Sequence, residues 1–295
     1  MDRCELDFSP GHDFLSQVLA ISKDFEFNIY DSLIAAELMA VERVASVLGL
    51  AQDSLLLFSG GFDALKSFML LNNGSEVLIP DNSFFGYREL SIQTHCRVVE
   101  AEWSFLLNAD CPKIICLPNN PGGESLNLAE LLENKSTNSF IDATYCFFDV
   151  LLEDVNIWPE LVKGRIFNVS LSKSFGMAGL RSSICIGDPR LISLLRKYKT
   201  PYSVGILQSI SVFLYFSSQW YDCRVGISER ISNLRRFTVA ELNRLSVSYV
   251  DPKSNFLLLL GDVPTEIKEI CSLKNGLVRL TLNDRNAGLI SVFRR

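Results

Sequence analysis

Short apolar runs alternate with amphipathic stretches through the middle of the chain. Residues 54–58, 76–80, 97–100, 113–117, 139–141, 166–170 and 183–187 have strand length and are rich in Leu, Ile, Val and Phe. Between them, 63–71, 85–94, 128–135 and 189–198 repeat their apolar positions at helical spacing, and Pro189 suits a first helical turn. This alternation predicts an α/β domain on a mainly parallel sheet. Ligands of such sheets gather beyond the carboxyl ends of the strands. Asn120, Asp142 and Lys173 each follow a predicted strand closely.

The pattern changes after residue 205. Residues 205–220 and 224–246 read as long helices, followed by strands at 256–260 and 277–282 and a terminal helix from 284. The division predicts a large cofactor-binding domain over 30–205 and a smaller α+β domain from 1–29 plus 206–295. The 295 residues suffice for both. No repeat or low-complexity tract interrupts them.

Composition narrows the class. With 48% apolar residues the chain can bury a large core. A net charge of −6 argues against a nucleic-acid surface. Eight cysteines form no C-x-x-C pair, and the histidines are only His12 and His95, so no metal site is expected. No run approaches a membrane span, and the first residues lack a secretory apolar stretch. The expectation is a cytoplasmic protein with reduced thiols.

The candidate chemistry centres on Asn168-Val-Ser-Leu-Ser-Lys-Ser-Phe-Gly-Met-Ala-Gly-Leu-Arg181. A lysine in a small-residue turn packs poorly, but its amine can reach a carbonyl and form an imine. The serines and Arg181 supply what a phosphate needs nearby. Together they point to pyridoxal phosphate bound through Lys173. Asp142 ends an apolar strand, where it serves either as a turn aspartate or as a carboxylate facing a pyridine nitrogen. Tyr145 is either a core aromatic or a donor to the cofactor's phenolic oxygen. Asn120, in Asn119-Asn-Pro-Gly-Gly123, is a turn residue or a second donor to that oxygen. Ser59-Gly-Gly-Phe-Asp63 opens a helix whose free amides suit an anion, or makes a tight turn only. Phe84 and Tyr87 are core residues, or one of them stacks on the pyridine face. Arg279 interrupts an apolar run, pointing either to solvent or to a substrate carboxylate.

Taken together, these motifs resemble the fold-type I pyridoxal-phosphate enzymes, aminotransferase classes I and II. Within them the chain is most similar to the histidinol-phosphate aminotransferases and threonine-phosphate decarboxylases. Pro118-Asn-Asn-Pro-Gly-Gly123, Asp142-Ala-Thr-Tyr145 and the lysine motif occur in the same order as in that family. Ser83-Phe-Phe-Gly-Tyr87, Ser254-Asn-Phe256 and Leu277-Val-Arg-Leu280 match more weakly. The resemblance implies roles. Lys173 forms the internal aldimine and shuttles the proton. Asp142 pairs with the pyridine nitrogen, Asn120 and Tyr145 bind the phenolic oxygen, and Phe84 stacks on the ring. Ser170, Ser172, Arg181 and the amides near Gly61, Phe62 and Asp63 hold the phosphate. Arg279 binds the substrate carboxylate. Tyr30 reaches the phosphate of a partner subunit, which implies a homodimer.

Departures from the family fall on substrate recognition. Gly122 stands where Thr is frequent, Phe84 stands where Tyr is frequent, and the segment before Arg279 is compressed. The implied activity is a biosynthetic aminotransferase for a small amino acid or amino-phosphate. The alternatives are decarboxylation or elimination/cyclisation on the same cofactor.

Overall fold

The computed structural model describes residues 3–134, 137–146, 155–274 and 276–293. Its larger sheet contains β1 (Leu55–Phe58), β2 (Glu76–Pro80), β3 (Arg97–Ala101), β4 (Lys113–Cys116), β5 (Ser139–Asp142), β6 (Arg165–Ser170) and β7 (Ser183–Gly187). The order is β1-β7-β6-β5-β4-β2-β3. β2 to β6 pair in parallel, and β7 runs antiparallel to both of its neighbours. The predicted α/β class and mainly parallel sheet are therefore observed.

Both faces of this sheet are covered, which is why its strands read as continuous apolar runs rather than alternating ones. On one face, Leu56, Phe58, Ile79, Ile114, Phe140, Ile166 and Cys185 pack against Leu65 and Phe68 of helix Gly61–Leu71, Leu90 of helix Gly86–Thr94, and Leu191 and Leu195 of helix Pro189–Arg196. On the other face, Leu55, Leu57, Ile115, Ile141, Phe167, Ile184 and Ile186 join a core shared with helices Tyr30–Leu48 and Ile206–Tyr215. Neighbouring residues on one strand divide between the two cores, as the period of two requires.

A second, antiparallel sheet contains β8 (Ser248–Val250), β9 (Phe256–Leu260), β10 (Ser272–Lys274) and β11 (Leu277–Thr281), in the order β10-β11-β9-β8. Two helical expectations are corrected. The helix expected over 205–220 ends at Tyr215, because Ser217 turns extended (ψ 141°) before a short 3₁₀ turn at Ser218–Trp220. The helix expected over 224–246 spans Tyr221–Arg244. The helix expected over 128–135 is observed as Leu128–Glu133, and Lys135 lies outside the described residues. Helices His12–Ser22 and Tyr30–Leu48 had no counterpart in the sequence reading. Among the described residues, no helix is long and apolar enough to cross a membrane.

Candidate active site

Strand register builds the centre of the site. Cys116 pairs with Asp142, and Asp142 pairs with Asn168, so three residues of neighbouring parallel strands stand in one row. They share the face of Ile114, Phe140 and Ile166, two residues back on each strand. That face carries helices Gly61–Leu71 and Gly86–Thr94, so Asp142 points at the start of both.

Asp142 is buried, with 4% of its surface exposed. A buried carboxylate needs donors. Its Oδ1 accepts from Thr144 Oγ1 (2.6 Å), Thr144 N (3.3 Å) and Asn168 Nδ2 (3.4 Å), and its Oδ2 accepts from Tyr87 OH (2.8 Å). Burial first, then the Asp142 charge, push the Tyr87 phenol well above its ordinary value, so it remains a donor. Tyr87 therefore does not stack in the cavity. It lies fully buried beneath it, while Phe84 lines the wall with its ring edge-on to Tyr87 at 5.5 Å. The Cys116 thiol lies beside this pair, donates to Pro118 O (3.4 Å), and is pushed up by burial and by Asp142.

Lys173 sits on a single helical turn, Leu171–Ser174, directly after β6. Ser170 caps that turn, its Oγ accepting from Ser172 N at 3.2 Å. Lys173 Nζ donates to the carbonyl of Arg3 at 2.7 Å, so the chain's N-terminal stretch reaches the lysine. Ser170, Ser172, Arg181 and Gly61 line the same cavity as Lys173.

Two glycines admit close approaches there. Gly60 has φ +89°, and a Cβ on it would lie 2.4 Å from Arg181 Nη2. A Cβ on Gly61 would lie 2.6 Å from Asn168 Nδ2. A side chain at either position would displace Arg181 or Asn168. Gln208 ties this corner together, donating to Arg181 O (2.8 Å) and Ser59 Oγ (3.2 Å). Arg181, itself at φ +57°, is thereby held over the start of helix Gly61–Leu71. The start of helix Gly61–Leu71, an arginine and two serines are groups that suit a phosphate, but the Asp63 amide expected among them already donates to Gly60 O at 3.1 Å. The Ser172 hydroxyl, on the cavity wall, is buried without a protein partner, which suits a site completed by a polar ligand.

Opposite Lys173, Asn120 Nδ2 donates to Tyr145 OH (2.8 Å), and Arg279 Nη1 donates to Asn120 Oδ1 (2.6 Å). Arg279 is only 3% exposed, so the solvent-facing alternative for it is excluded. Its Nη2 also reaches Ser272 Oγ at 3.3 Å. Burial raises the Tyr145 phenol, against which the Arg279 charge acts in the lowering direction. The Ser254-Asn-Phe256 motif supports this wall. Ser254 Oγ donates to Tyr145 O (2.9 Å), Phe256 packs edge-on to the Tyr145 ring, and Asn255 Nδ2 donates to Cys4 O (3.0 Å).

The cavity enclosed by these groups measures about 630 Å³, within the usual range for a small-molecule site. Gly61, Phe62, Phe84, Asn120, Asp142, Tyr145, Ser170, Ser172, Lys173, Arg181 and Arg279 all line it. Asp63 stands just behind Phe62 on the helix. Tyr30 does not join them. It is 66% exposed, rests on Tyr202 at 4.5 Å between ring centroids, and lines a separate depression with Gly179 and Leu180.

Sequence reading missed Thr144, Asn168, Ser272 and the N-terminal residues Arg3 and Glu5. Asn168 carried a signal, being the one polar residue inside Ile166-Phe-Asn-Val169.

The family described as aminotransferase class I and II matches residues 26–272. The histidinol-phosphate aminotransferase of Thermoanaerobacter sp. (strain X514) is 24% identical over 281 residues, covering 88% of this chain and 77% of the relative. The histidinol-phosphate aminotransferase of Clostridium acetobutylicum has a similar structure, with a TM-score of 0.78 at 17% identity over 97% of this chain and 95% of that one. The Sinorhizobium meliloti enzyme of the same name, solved with pyridoxal-5'-phosphate, gives a TM-score of 0.80 at 14% identity, covering 98% and 88%.

Proposed function

The chain belongs to the aminotransferases of class I and II, which are pyridoxal-phosphate-dependent transferases, and on that premise we propose how its own residues divide the work. The substrate is a small amino acid or amino-phosphate. The observation that carries this reading is the convergence of Lys173, Asp142, Asn120, Tyr145 and Arg279 on one cavity from four separate segments.

Bound pyridoxal phosphate supplies an aldehyde for covalent attachment of amines and a conjugated ring that accepts negative charge from the substrate's α-carbon. Ser170, Ser172, Arg181 and the amides of Gly61 and Phe62 hold its phosphate, while the Asp63 amide stays with Gly60 O. Phe84 packs on the ring. Asp142 keeps a proton on the pyridine nitrogen, which makes the ring a better electron acceptor. Asn120 and Tyr145 donate to the phenolic oxygen. Lys173 provides the attaching amine and then takes and returns the α-proton. Arg279 clamps the substrate carboxylate with its planar fork.

For Lys173 to act, its amine leaves the Arg3 carbonyl. Tyr30 lies outside its own chain's cavity, which supports a homodimer in which it reaches the partner's phosphate site. The same reading places the cofactor-binding unit at 30–205 and the small unit at 1–29 with 206–295, and gives the enzyme a biosynthetic role in the cytoplasm.

The test is a screen of amino donors against the purified yellow holoenzyme. Transamination discharges the visible band and yields a keto acid. Carbon dioxide without keto acid would replace it with the decarboxylase reading. Lys173→Ala is expected to remove the band that reports covalent attachment, and its persistence would overturn the lysine assignment.

A further inference from the structure

Asn168 stands between Phe167 and Val169 in a strand buried along its whole length, and none of its own surface is exposed. Register sets it in a row that crosses four strands: Cys116, Asp142, Asn168 and Cys185. Its Nδ2 donates to Asp142 Oδ1 at 3.4 Å. A carboxylate only accepts, so the amide must turn its nitrogen to Asp142. Its Oδ1 is then buried with no protein partner among the described residues. An unpaired buried carbonyl is costly, and an apolar side chain of the same shape would avoid the cost. Thr144 already bonds Asp142 Oδ1 through both its hydroxyl and its amide, so the fold alone does not need Asn168 there.

The same amide also meets the phosphate end of the site. Gly60 and Gly61 face different neighbours. A Cβ on Gly60 would meet the Arg181 guanidinium, whereas a Cβ on Gly61 would meet Asn168 Nδ2 at 2.6 Å and Thr144 Oγ1 at 3.4 Å. Asn168 and Thr144 are also the two side chains that bond Asp142 Oδ1. The groups that fix the carboxylate therefore rest against the residue that opens the phosphate-side helix. Asn168 makes the closer of the two approaches, so its amide is the spacer between them. Close-packed groups of this kind transmit a displacement instead of absorbing it.

We propose that Asn168 is a positioning residue that sets the spacing between the Asp142 carboxylate and the Gly61 end of the site, so that the ring nitrogen and the phosphate of one pyridoxal phosphate are held at the same time. This rests on the assignment of Asp142 to the ring nitrogen and of Gly61 to the phosphate. A core residue that merely touched both would stabilise the fold and favour neither end of the cofactor. The two roles are therefore separable.

The experiment titrates the apoprotein, as wild type, Asn168→Leu and Asn168→Ala, with three compounds by calorimetry. Pyridoxal phosphate presents both ends. Its 1-deaza analogue keeps the phosphate but has CH in place of the ring nitrogen, and 5'-deoxypyridoxal keeps the nitrogen but lacks the phosphate. Leucine keeps the shape of the side chain and loses the donor, while alanine removes the contact without crowding Gly61. Both substitutions are expected to weaken pyridoxal phosphate by about 10-fold, the scale on which groups sharing a neighbour couple, and to leave the other two compounds within about 2-fold. Asn168→Leu is expected not to lower the unfolding temperature of the apoprotein. Equal losses for pyridoxal phosphate and 5'-deoxypyridoxal mean that Asn168 serves Asp142 alone, and equal losses for pyridoxal phosphate and the 1-deaza analogue mean that it serves the phosphate alone. Either result overturns the proposal, as does a less stable Asn168→Leu apoprotein with unchanged affinities.

Asp142→Asn separates the proposal from the assignment it rests on. That substitution should weaken pyridoxal phosphate and 5'-deoxypyridoxal but not the 1-deaza analogue. If it does so while the Asn168 variants weaken all three compounds alike, or none, the spacing role falls alone. If Asp142→Asn weakens all three alike, Asp142 does not face the ring nitrogen, and the assignment and the proposal fall together.

Discussion

Replacing Tyr87 with phenylalanine removes one hydroxyl and leaves the ring in place. The ring is fully buried among Leu90, Cys116 and Phe84, so no cavity opens and the change isolates the hydrogen bond. What is lost is the 2.8 Å bond to Asp142 Oδ2. The remaining donors, Thr144 and Asn168, all bond Oδ1. A hydrogen bond to a charged group contributes about 1.5–3 kcal/mol, and burial of the carboxylate argues for the upper half of that range. Urea unfolding of the apoprotein is therefore expected to show Tyr87→Phe less stable by about 2–3 kcal/mol, with an unchanged urea slope. The apoprotein's affinity for pyridoxal phosphate falls as well, because a carboxylate held on one oxygen only is less well aimed at the pyridine nitrogen. A double-mutant cycle with Asp142→Asn apportions the effect. If the bond acts as the structure indicates, the two substitutions couple by at least about 1 kcal/mol. Additivity within about 0.3 kcal/mol would refute the reasoning, since Tyr87 would then stabilise the fold through packing alone.

Other consequences follow from the same geometry. Gly61→Ala drives a methyl to 2.6 Å from Asn168 Nδ2, and overpacking of this kind costs about 1–3 kcal/mol. Its expected signature is a fall in cofactor affinity, measured by titrating the apoprotein, that exceeds the fall in unfolding temperature of the apoprotein. The phenols of Tyr87 and Tyr145 are both raised above their free value of 10.0. Above that pH the unfolded chain loses these protons while the folded one keeps them, so stability is complete below pH 10.0 and declines as pH rises beyond it. Thermal melts from pH 8 to 11 should show the decline, and Tyr87→Phe should reduce its slope.

Sequence alone carried the cofactor site a long way. The apolar runs fixed the strands because each is buried on both faces, and a run of Leu, Ile and Val has few other uses. Asn120, Asp142 and Lys173 were legible because polar residues just past such runs fall at the carboxyl ends of a parallel sheet. The lysine segment was legible because serines, glycines and a cation must lie close together to hold a phosphate, and much of that closeness is local in sequence. The helix expected over 205–220 failed at Ser217 because local backbone geometry outweighed a helical apolar pattern.

Tertiary structure decided whatever depends on partners far apart in the chain. Tyr87 and Asp142 are 55 residues apart, Arg279 and Asn120 are 159, and Lys173 and Arg3 are 170. No periodicity encodes such pairs. Strand register sent Asp142, Cys116 and Asn168 to one face, and Ser272 and Arg279 to another; a shift of one residue would have reversed each. The lysine motif thus determined which cofactor the protein binds. The folded chain decided what surrounds it, because the direction of a side chain follows from the neighbour its strand pairs with.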